Sequence, residues 1–237
     1  MKKIFTFQAI ETVYREVISL GYTAITCREY AEKKNAGIMG KTVVNRVDID
    51  FSIGKSRRLA EIFNKLGIKA TFFVRLHASE YNPFSFENYR SLKFIRDSGH
   101  EIGYHSEIVD QASIWGEDPA ECLRRDVGML EQMLGIKVYG VASHGGYTGF
   151  NNLDFWKTHK PEEFGLVYEA YDESDRFGLF TSSRYVTDSL WTRWKAYENG
   201  RLIEGDMRDP AEHALEGIPV LYVLVHGDTY YDKHFYE

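Results

Sequence analysis

The side chains of this sequence that could do hydrolytic chemistry are Asp48, Asp50, His105, His144 and His226. Asp48 and Asp50 lie two residues apart in VVNRVDIDF, so on a strand they point to the same face. Two carboxylates on one buried face repel unless a cation or a proton separates them, so one can bind a metal while the other acts as a base. Imidazoles and carboxylates are good ligands for zinc and similar divalent ions.

The surroundings of the histidines add further candidates. His144 lies in SHGGYTG, where Gly145 and Gly146 would let backbone N–H groups approach a substrate oxygen, and we expect both glycines to bind substrate. Glu107, two residues beyond His105, can reach the same centre as a ligand, a supporting group or a substrate contact, or it can be solvated. His226 follows five apolar residues and is placed to act as an acid or base at the rim of a site. A purely structural role is the alternative for each histidine.

These residues need a scaffold that brings distant segments together. Residues 7–20 carry apolar side chains at helical spacing and stop at Gly21, while KATFFVRL and PVLYVLVHGD are nearly continuous apolar strands. Such strands and helices alternate along the chain, which predicts a parallel α/β fold, and a barrel explains about seven strands at least as well as an open sheet. The carboxyl ends of parallel strands share one rim, so the polar residues should converge there. The sequence shows no linker or repeat, which predicts one domain over residues 1–237.

Composition narrows the class of protein. The net charge of −6 and the lack of a Lys/Arg-dense segment argue against a nucleic-acid partner. No stretch approaches the ~20 apolar residues of a membrane span. Charged residues interrupt the N-terminal segment before a signal-peptide core develops. Cys27 and Cys122 have no metal-type spacing and suggest no disulfide framework, which favours a reducing compartment. We therefore expect a cytoplasmic protein.

The order of these motifs resembles the polysaccharide deacetylase family, the NodB-homology group related to carbohydrate esterase family 4. That family has a paired-aspartate strand, a helix, a Gly-x-x-x-T-F-F strand, a G-H-E-I-G-x-H segment and an apolar strand ending in Leu-x-His. Here RVDIDFSIGKSRRLAEIFNKLGIKATFFV, GHEIGYHSE and VLVH correspond, from about Val43 to His226. The match is nearest to a divergent branch that often accompanies bacterial surface-polysaccharide genes. Its first motif is Arg-His-Asp-Val-Asp, where Val47 replaces the His.

The resemblance implies a fold, a reaction and a set of roles. The fold would be a distorted (β/α)7 barrel of the NodB type. Asp48 would be the general base, Asp50 and His105 metal ligands, and His226 the general acid. The cofactor would be a divalent metal, most simply Zn²⁺, with Co²⁺, Ni²⁺, Mn²⁺ or Fe²⁺ as alternatives. The substrate would be an N-acetyl or N-formyl amino sugar, in a precursor that is nucleotide- or lipid-linked.

The sequence departs from the family at one metal ligand. Family members have a second His four residues after the first, and here that position is Val109. His144 falls where the third family motif supplies an Arg, and we expect it to replace the missing ligand, with Glu107 and Asp110 as rivals. Two other functions remain open. The barrel could be a catalytically inactive carbohydrate-binding protein, or a hydrolase of a non-sugar amide.

Overall fold

The computed structural model describes residues 4–34, 37 and 40–233. The strands are β1 (Thr23–Ile25), β2 (Thr42–Ile49), β3 (Thr71–Val74), β4 (Glu101–Ser106), β5 (Gly140–Ser143), β6 (Tyr168–Glu169), β7 (Arg184–Thr187), β8 (Lys195–Glu198), β9 (Arg201–Leu202) and β10 (Val220–His226). The helices are α1 (Phe7–Ser19), α2 (Cys27–Lys34), α3 (Ile53–Leu66), α4 (Phe86–Asp97), α5 (Ile108–Trp115), α6 (Pro119–Leu134), α7 (Leu179–Ser182) and α8 (Pro210–Ala214). Short 3-10 helices lie at Asn152–Lys157, Pro161–Phe164 and Gly227–Thr229.

The sheet has the strand order of a β/α barrel. Within the described chain the order is β6-β5-β4-β3-β2-β10-β7-β8-β9, and β1 pairs in parallel with the beginning of β2. The ladder is parallel from β6 to β7, and β8 and β9 extend it antiparallel. Starting at β2 and moving through β3, the parallel strands follow one another in chain order around to β10. The predicted parallel α/β class is confirmed, and the order fits the predicted seven-stranded barrel.

Side chains, rather than ladder hydrogen bonds, connect β6 and β7 in the described residues. The hydroxyl oxygens of Tyr171 and Tyr185 lie 3.2 Å apart, so that one donates to the other. Tyr222 of β10 donates from its hydroxyl to the Ala170 carbonyl at 3.2 Å. These contacts hold together the seam where the strand ladder is not closed.

Alternation along β2 separates the inside of the barrel from its outside. Val43, Val47 and Ile49 face outward and join the larger apolar core under the helices. Val44 faces inward with Phe73, Tyr222 and other members of a smaller interior cluster. Because side chains alternate along a strand, Arg46 and Asp48 share the inward face with Val44.

Local sequence signals set many of the helix bounds. The side chains of Thr6, Ser52, Ser85, Asp118 and Asp209 accept hydrogen bonds from backbone N–H groups in the first turn of α1, α3, α4, α6 and α8. In α6 and α8 the capping aspartate is followed by a proline at the first helical position, where its missing N–H costs nothing. Gly67 ends α3 in the left-handed conformation, with φ of 69°.

Some elements differ from the sequence expectation. The apolar segment FGLVYEAY favours a full strand, but β6 covers Tyr168–Glu169 and, among the described strands, pairs with β5 alone. The hairpin of β8 and β9 and the helix α5 were not predicted, because their short segments lack a clear periodic pattern. None of the described helices combines the length and the apolar character that crossing a bilayer requires.

Candidate active site

A cavity of about 330 Å³ opens at the carboxyl ends of the parallel strands. Its lining includes Asp48, Asp50, His105, His144 and His226. These residues come from four parts of the sequence: β2 and the turn that follows it, β4, the loop after β5, and β10. The structure thus brings together the side chains that the sequence predicted to converge.

Three of these side chains form a cluster suited to a metal ion. Asp50, His105 and His144 each offer one ligand atom, and the three atoms lie within 4.8 Å of one another. The buried Asp50 Oδ1 lies 3.3 Å from His105 Nε2 but makes no well-directed hydrogen bond with the described residues. Two imidazoles and a carboxylate match the three protein ligands of many catalytic zinc sites. The residues present therefore fit the implied divalent ion.

The hydrogen bonding of His105 favours a ligand role for Nε2. Its Nδ1 lies 2.8 Å from the Ala142 carbonyl oxygen, which can only accept, so Nδ1 carries a proton. Nε2 then faces Asp48 Oδ2 at 3.4 Å and Asp50 Oδ1 at 3.3 Å. Burial lowers the pKa of His105, but these two carboxylates outweigh burial and raise it. A positive charge is favoured between the carboxylates, whether a proton or a cation supplies it.

A buried arginine holds Asp48. Arg46 Nε donates to Asp48 Oδ1 at 2.8 Å and Nη2 donates to Oδ2 at 2.7 Å, while Nη1 donates to the Tyr222 hydroxyl at 3.1 Å. Burial raises the pKa of Asp48, but the Arg46 guanidinium, together with His105 and His226, outweighs burial and the pKa is lowered. Asp48 is therefore an oriented, ionised carboxylate. Arg46 occupies the arginine position of the family motif Arg-His-Asp-Val-Asp. Its ion pair with Asp48 was not predicted from the sequence.

His226 is paired with an aspartate that the sequence analysis missed. His226 Nδ1 lies 2.6 Å from Asp188 Oδ1, and the His226 backbone N–H also donates to this carboxylate. Burial lowers the pKa of His226, but Asp188, together with Asp50 and Asp48, outweighs burial and raises the pKa to about 9. His226 is thus an imidazolium at neutral pH, with Nε2 3.8 Å from Asp50 Oδ2. The available signal was an acidic residue directly after the strand SRYVT, next to β10.

Arg75 was also missed, although it directly follows the apolar strand TFFV. Its Nη1 donates to the Asp50 carbonyl at 2.9 Å, and its Nη2 donates to Glu107 Oε1 at 2.8 Å. The same oxygen of Glu107 lies 3.3 Å from His144 Nδ1. Glu107 is buried and not part of the cavity lining. This geometry favours support of His144 over the predicted substrate contact, which stays untested.

The two glycines predicted to bind substrate differ in their surroundings. Gly145 lines the cavity, and a Cβ there would meet open space. A Cβ on Gly146 would collide with the Phe150 carbonyl oxygen. The loop therefore requires Gly146 for close packing, whereas Gly145 is placed to face a substrate.

Asp110, the other rival for the third ligand, is occupied by the loop that carries His144. Its carboxylate accepts from the backbone N–H groups of Tyr147 and Thr148 and from Asn152 Nδ2. Asn152 Nδ2 also donates to the His144 carbonyl at 3.1 Å. Asp110 and Asn152 thus fix the loop, and the geometry favours His144 as the third ligand.

Trp191 stands at the cavity rim in an unusual backbone conformation. Its φ is 64°, in the left-handed region that a bulky residue rarely adopts. Its ring lies nearly parallel to that of His226, with an interplanar angle of 18° and a centroid distance of 6.4 Å, and it also contacts Phe51. The strained backbone places an indole beside the predicted acid.

Comparison with known proteins places the fold. No family model matches the sequence, and no curated protein matches it either. Similar solved structures include a mutant of BA3943, described as a CE4 family pseudoenzyme with restored enzymatic activity. It has a TM-score of 0.50 and 19% identity, over 80% of this chain and 59% of that one. IcaB from Ammonifex degensii has a TM-score of 0.52 and 17% identity, over 69% of this chain and 74% of that one.

The chain has the CE4 fold. The resemblance inferred from the sequence is confirmed at the level of the fold, which is what identities of 17–19% establish. The chain spans less than two thirds of the BA3943 structure that it matches. Within the CE4 fold, the activity of this chain has to be argued from its own site.

Proposed function

We propose that this protein is a metal-dependent hydrolase that removes an N-acyl group, acetyl or formyl, from an amino sugar in bacterial surface-polysaccharide biosynthesis. The observation that carries the proposal is the cluster of Asp50, His105 and His144 beside an ionised Asp48 and a protonated His226. A ligand set, a base and an acid are the groups that amide hydrolysis requires. The CE4 fold supports the same reaction class.

The bound metal would lower the pKa of a water molecule toward neutrality and polarise the acyl oxygen. Asp48 acts as the base: each of its oxygens has a lone pair beyond the one that accepts from Arg46, so it can take a proton from the attacking water. Arg46 fixes the orientation of this carboxylate and keeps it ionised before the proton arrives.

His226 acts as the acid. Asp188 holds Nδ1, which leaves the proton on Nε2 directed toward Asp50 and the cavity. Amide cleavage needs a proton on the departing nitrogen, and the imidazolium supplies it. Trp191 lies nearly parallel to the imidazole at the cavity rim, with the ring centres 6.4 Å apart.

The identity of the metal, the cellular compartment and the form of the substrate are proposed from ligand chemistry and from the family resemblance. Two imidazoles and one carboxylate suit Zn²⁺, and Co²⁺, Ni²⁺, Mn²⁺ and Fe²⁺ accept the same donors. We propose a cytoplasmic reaction on a nucleotide- or lipid-linked precursor. The two cysteines, Cys27 and Cys122, are buried free thiols, as a reducing compartment would leave them.

The direct test combines metal analysis with a substrate panel. The purified protein should bind about one zinc or cobalt per chain, and the loaded protein should release acetate or formate from acylated amino sugars. Absence of stoichiometric metal, even after zinc or cobalt is supplied, would contradict the metalloenzyme proposal. Release from cyclic or linear amides but from no amino sugar would favour the non-sugar hydrolase.

A non-catalytic carbohydrate-binding barrel is the second candidate. Val109 stands where the resemblance requires a ligand, and the BA3943 protein with the same fold is described as a pseudoenzyme. This candidate predicts binding of amino sugars without turnover, even with a metal bound. Single-turnover assays at high protein concentration separate it from a slow hydrolase.

A further inference from the structure

The cavity wall next to β10 is built by a hairpin that the sequence analysis did not predict. β7 and β8 pair antiparallel, with Thr187 opposite Lys195 and Tyr185 opposite Tyr197. These four residues line the cavity, while Ala196, between Lys195 and Tyr197, is fully buried in the outer core. Alternation along the strand therefore directs Lys195 inward, toward the site.

The other charged groups that line the cavity have partners or belong to the proposed metal cluster. Asp48 pairs with Arg46, and His226 pairs with Asp188. Asp50 lies against His105. Asp48 and His226 are thus compensated before any substrate enters, and Asp50 belongs to the cluster proposed to bind the metal.

Lys195 differs from these groups. Its side chain is partly buried, and no carboxylate or carbonyl oxygen of the described residues pairs with its ammonium. The contact of Nζ is with the face of Tyr197, whose ring centre is 5.9 Å away. By contrast, Lys34 donates to the Phe177 carbonyl, and Lys65 pairs with Glu11. Lys195 is an uncompensated cation at the edge of the cavity.

We propose that Lys195 binds an anionic substituent of the substrate, so that the preferred amino sugar carries a carboxylate or a phosphate. The inference rests on the proposed function for its reaction, but the recognition itself is a property of the cavity. An ammonium is a compact point charge that serves either anion, without the planar geometry that arginine imposes.

The position of Lys195 fits a group about one sugar away from the reacting amide. Lys195 pairs with Thr187, and Thr187 pairs with Leu224, two residues before His226. Two strand spacings put the Lys195 backbone roughly 10 Å from β10, and Lys195 lines the cavity between them. Tyr171, Phe180 and Tyr197 line the same side and offer apolar faces to a sugar ring.

Equilibrium binding of deacylated sugars tests this proposal without turnover. Glucosamine 6-phosphate, 2-amino-2-deoxyglucuronic acid and glucosamine would be titrated into the metal-loaded protein by calorimetry. We expect at least one anionic sugar to bind about tenfold or more tightly than glucosamine, as for a hydrogen bond to a charged group. Preference for the phosphate or for the carboxylate identifies the source of the anion.

Variants assign the preference to Lys195. Lys195→Gln should reduce the ratio of anionic to neutral affinity to about one, and Lys195→Arg should restore part of it. Lys33→Gln, which removes an exposed lysine on α2 outside the cavity, makes the same change in net charge and should leave the ratio as in the natural sequence. The preference of the natural sequence should also weaken as salt is raised.

Two results would overturn the proposal: equal binding of all three sugars by the natural sequence, or a preference that survives Lys195→Gln. Turnover of neutral amino sugars without any charge preference would refute the role of Lys195 and leave the proposed function standing. Lys195-dependent binding of an anionic sugar without turnover would support the role of Lys195 and refute the proposed function.

Discussion

The two ends of the barrel use the same inward face of β4 for different purposes. Glu101 begins the strand at the amino end, and its carboxylate accepts from the Arg28 backbone N–H at 3.0 Å, the Thr71 hydroxyl at 2.6 Å and the Tyr168 hydroxyl at 2.7 Å. His105 lies on the same face at the carboxyl end, beside Asp50 Oδ1, which makes no well-directed hydrogen bond within the described chain.

The difference in hydrogen bonding separates a polar group that completes the interior, Glu101, from one that can still bind a ligand, Asp50. At the amino end both oxygens of the Glu101 carboxylate have donors, so the group completes the interior and needs no ligand. At the carboxyl end polar atoms converge without satisfying one another, which costs stability unless a ligand is bound. Charge alone would rank Glu101 and Asp50 together, and the hydrogen bonds distinguish them.

Asp50→Ala should have the largest effect of the substitutions, because it removes a proposed metal ligand from the carboxyl end of the barrel. In Asp50→Ala the metal content should fall from about one ion per chain to near zero, because two ligands remain where catalytic zinc sites use three. The matched change at the amino end, Glu101→Gln, should leave the metal content unchanged and lower thermal stability instead. Elemental analysis and thermal melts check both, and loss of metal from Glu101→Gln would erase the distinction.

Asp48→Asn should abolish most of the turnover and retain the metal. An amide has nearly the shape of the carboxylate but cannot accept the proton, so kcat should fall ~10² to 10⁴-fold. Because Arg46 then lacks its counter-ion, a thermal melt must accompany the assay to show that the variant is folded. Release of the metal from a folded Asp48→Asn variant would mean that the roles of the two aspartates are exchanged.

His144→Ala should weaken metal binding by more than the ~10–100-fold that loss of an outer partner costs. Glu107→Gln keeps an oxygen that can accept from His144 Nδ1, so its effect should stay within that range. Competitive titration with a chelator measures both affinities. Unchanged affinity in His144→Ala would show that the third ligand has been misassigned.

The smallest expected effect is on pH dependence. Under the proposed function His226 is the acid, and its pKa is about 9, so kcat/KM should fall as the pH rises through about 9. Asp188→Asn removes the charge that raises this pKa, so the alkaline limb should move down by about one pH unit or more. An alkaline limb that stays in place in Asp188→Asn would assign it to another group.

The same shift has a consequence for stability. In the folded protein the pKa of His226 lies above its ordinary value of about 6.5. The ionised His226 therefore contributes its full stabilisation of the fold below about pH 6.5, and this stabilisation is lost as the pH rises through about 9.

Local patterns made the main elements of the site predictable. The spacing of Asp48 and Asp50 on a buried strand, and the apolar run before His226, indicated their face and position. The partners of these residues were not predictable in the same way. Asp188 is 38 residues from His226, and Arg75 is 32 residues from Glu107, so strand register, which no local period encodes, creates both pairs.

The hairpin that carries Lys195 was missed for a related reason. β8 has four residues, and within KAYE the side chains alternate too briefly for a strand to be predicted. The pairing of β8 with β7 shows which face of β8 is inward. Only then is it clear that Lys195 and Tyr197 share the face that lines the cavity.

The seam between β6 and β7 gives this site a particular capacity for change. Tyr171 and Tyr185, which bridge the seam by their hydroxyl groups, also line the cavity. Along most of a barrel wall, widening the opening would break strand-to-strand hydrogen bonds of the backbone. At this seam the width depends on the volume of two side chains, so replacing a tyrosine with a smaller residue could admit a bulkier substrate while the ladder stays intact. New substrate ranges could therefore evolve here through single substitutions that leave the catalytic rim untouched.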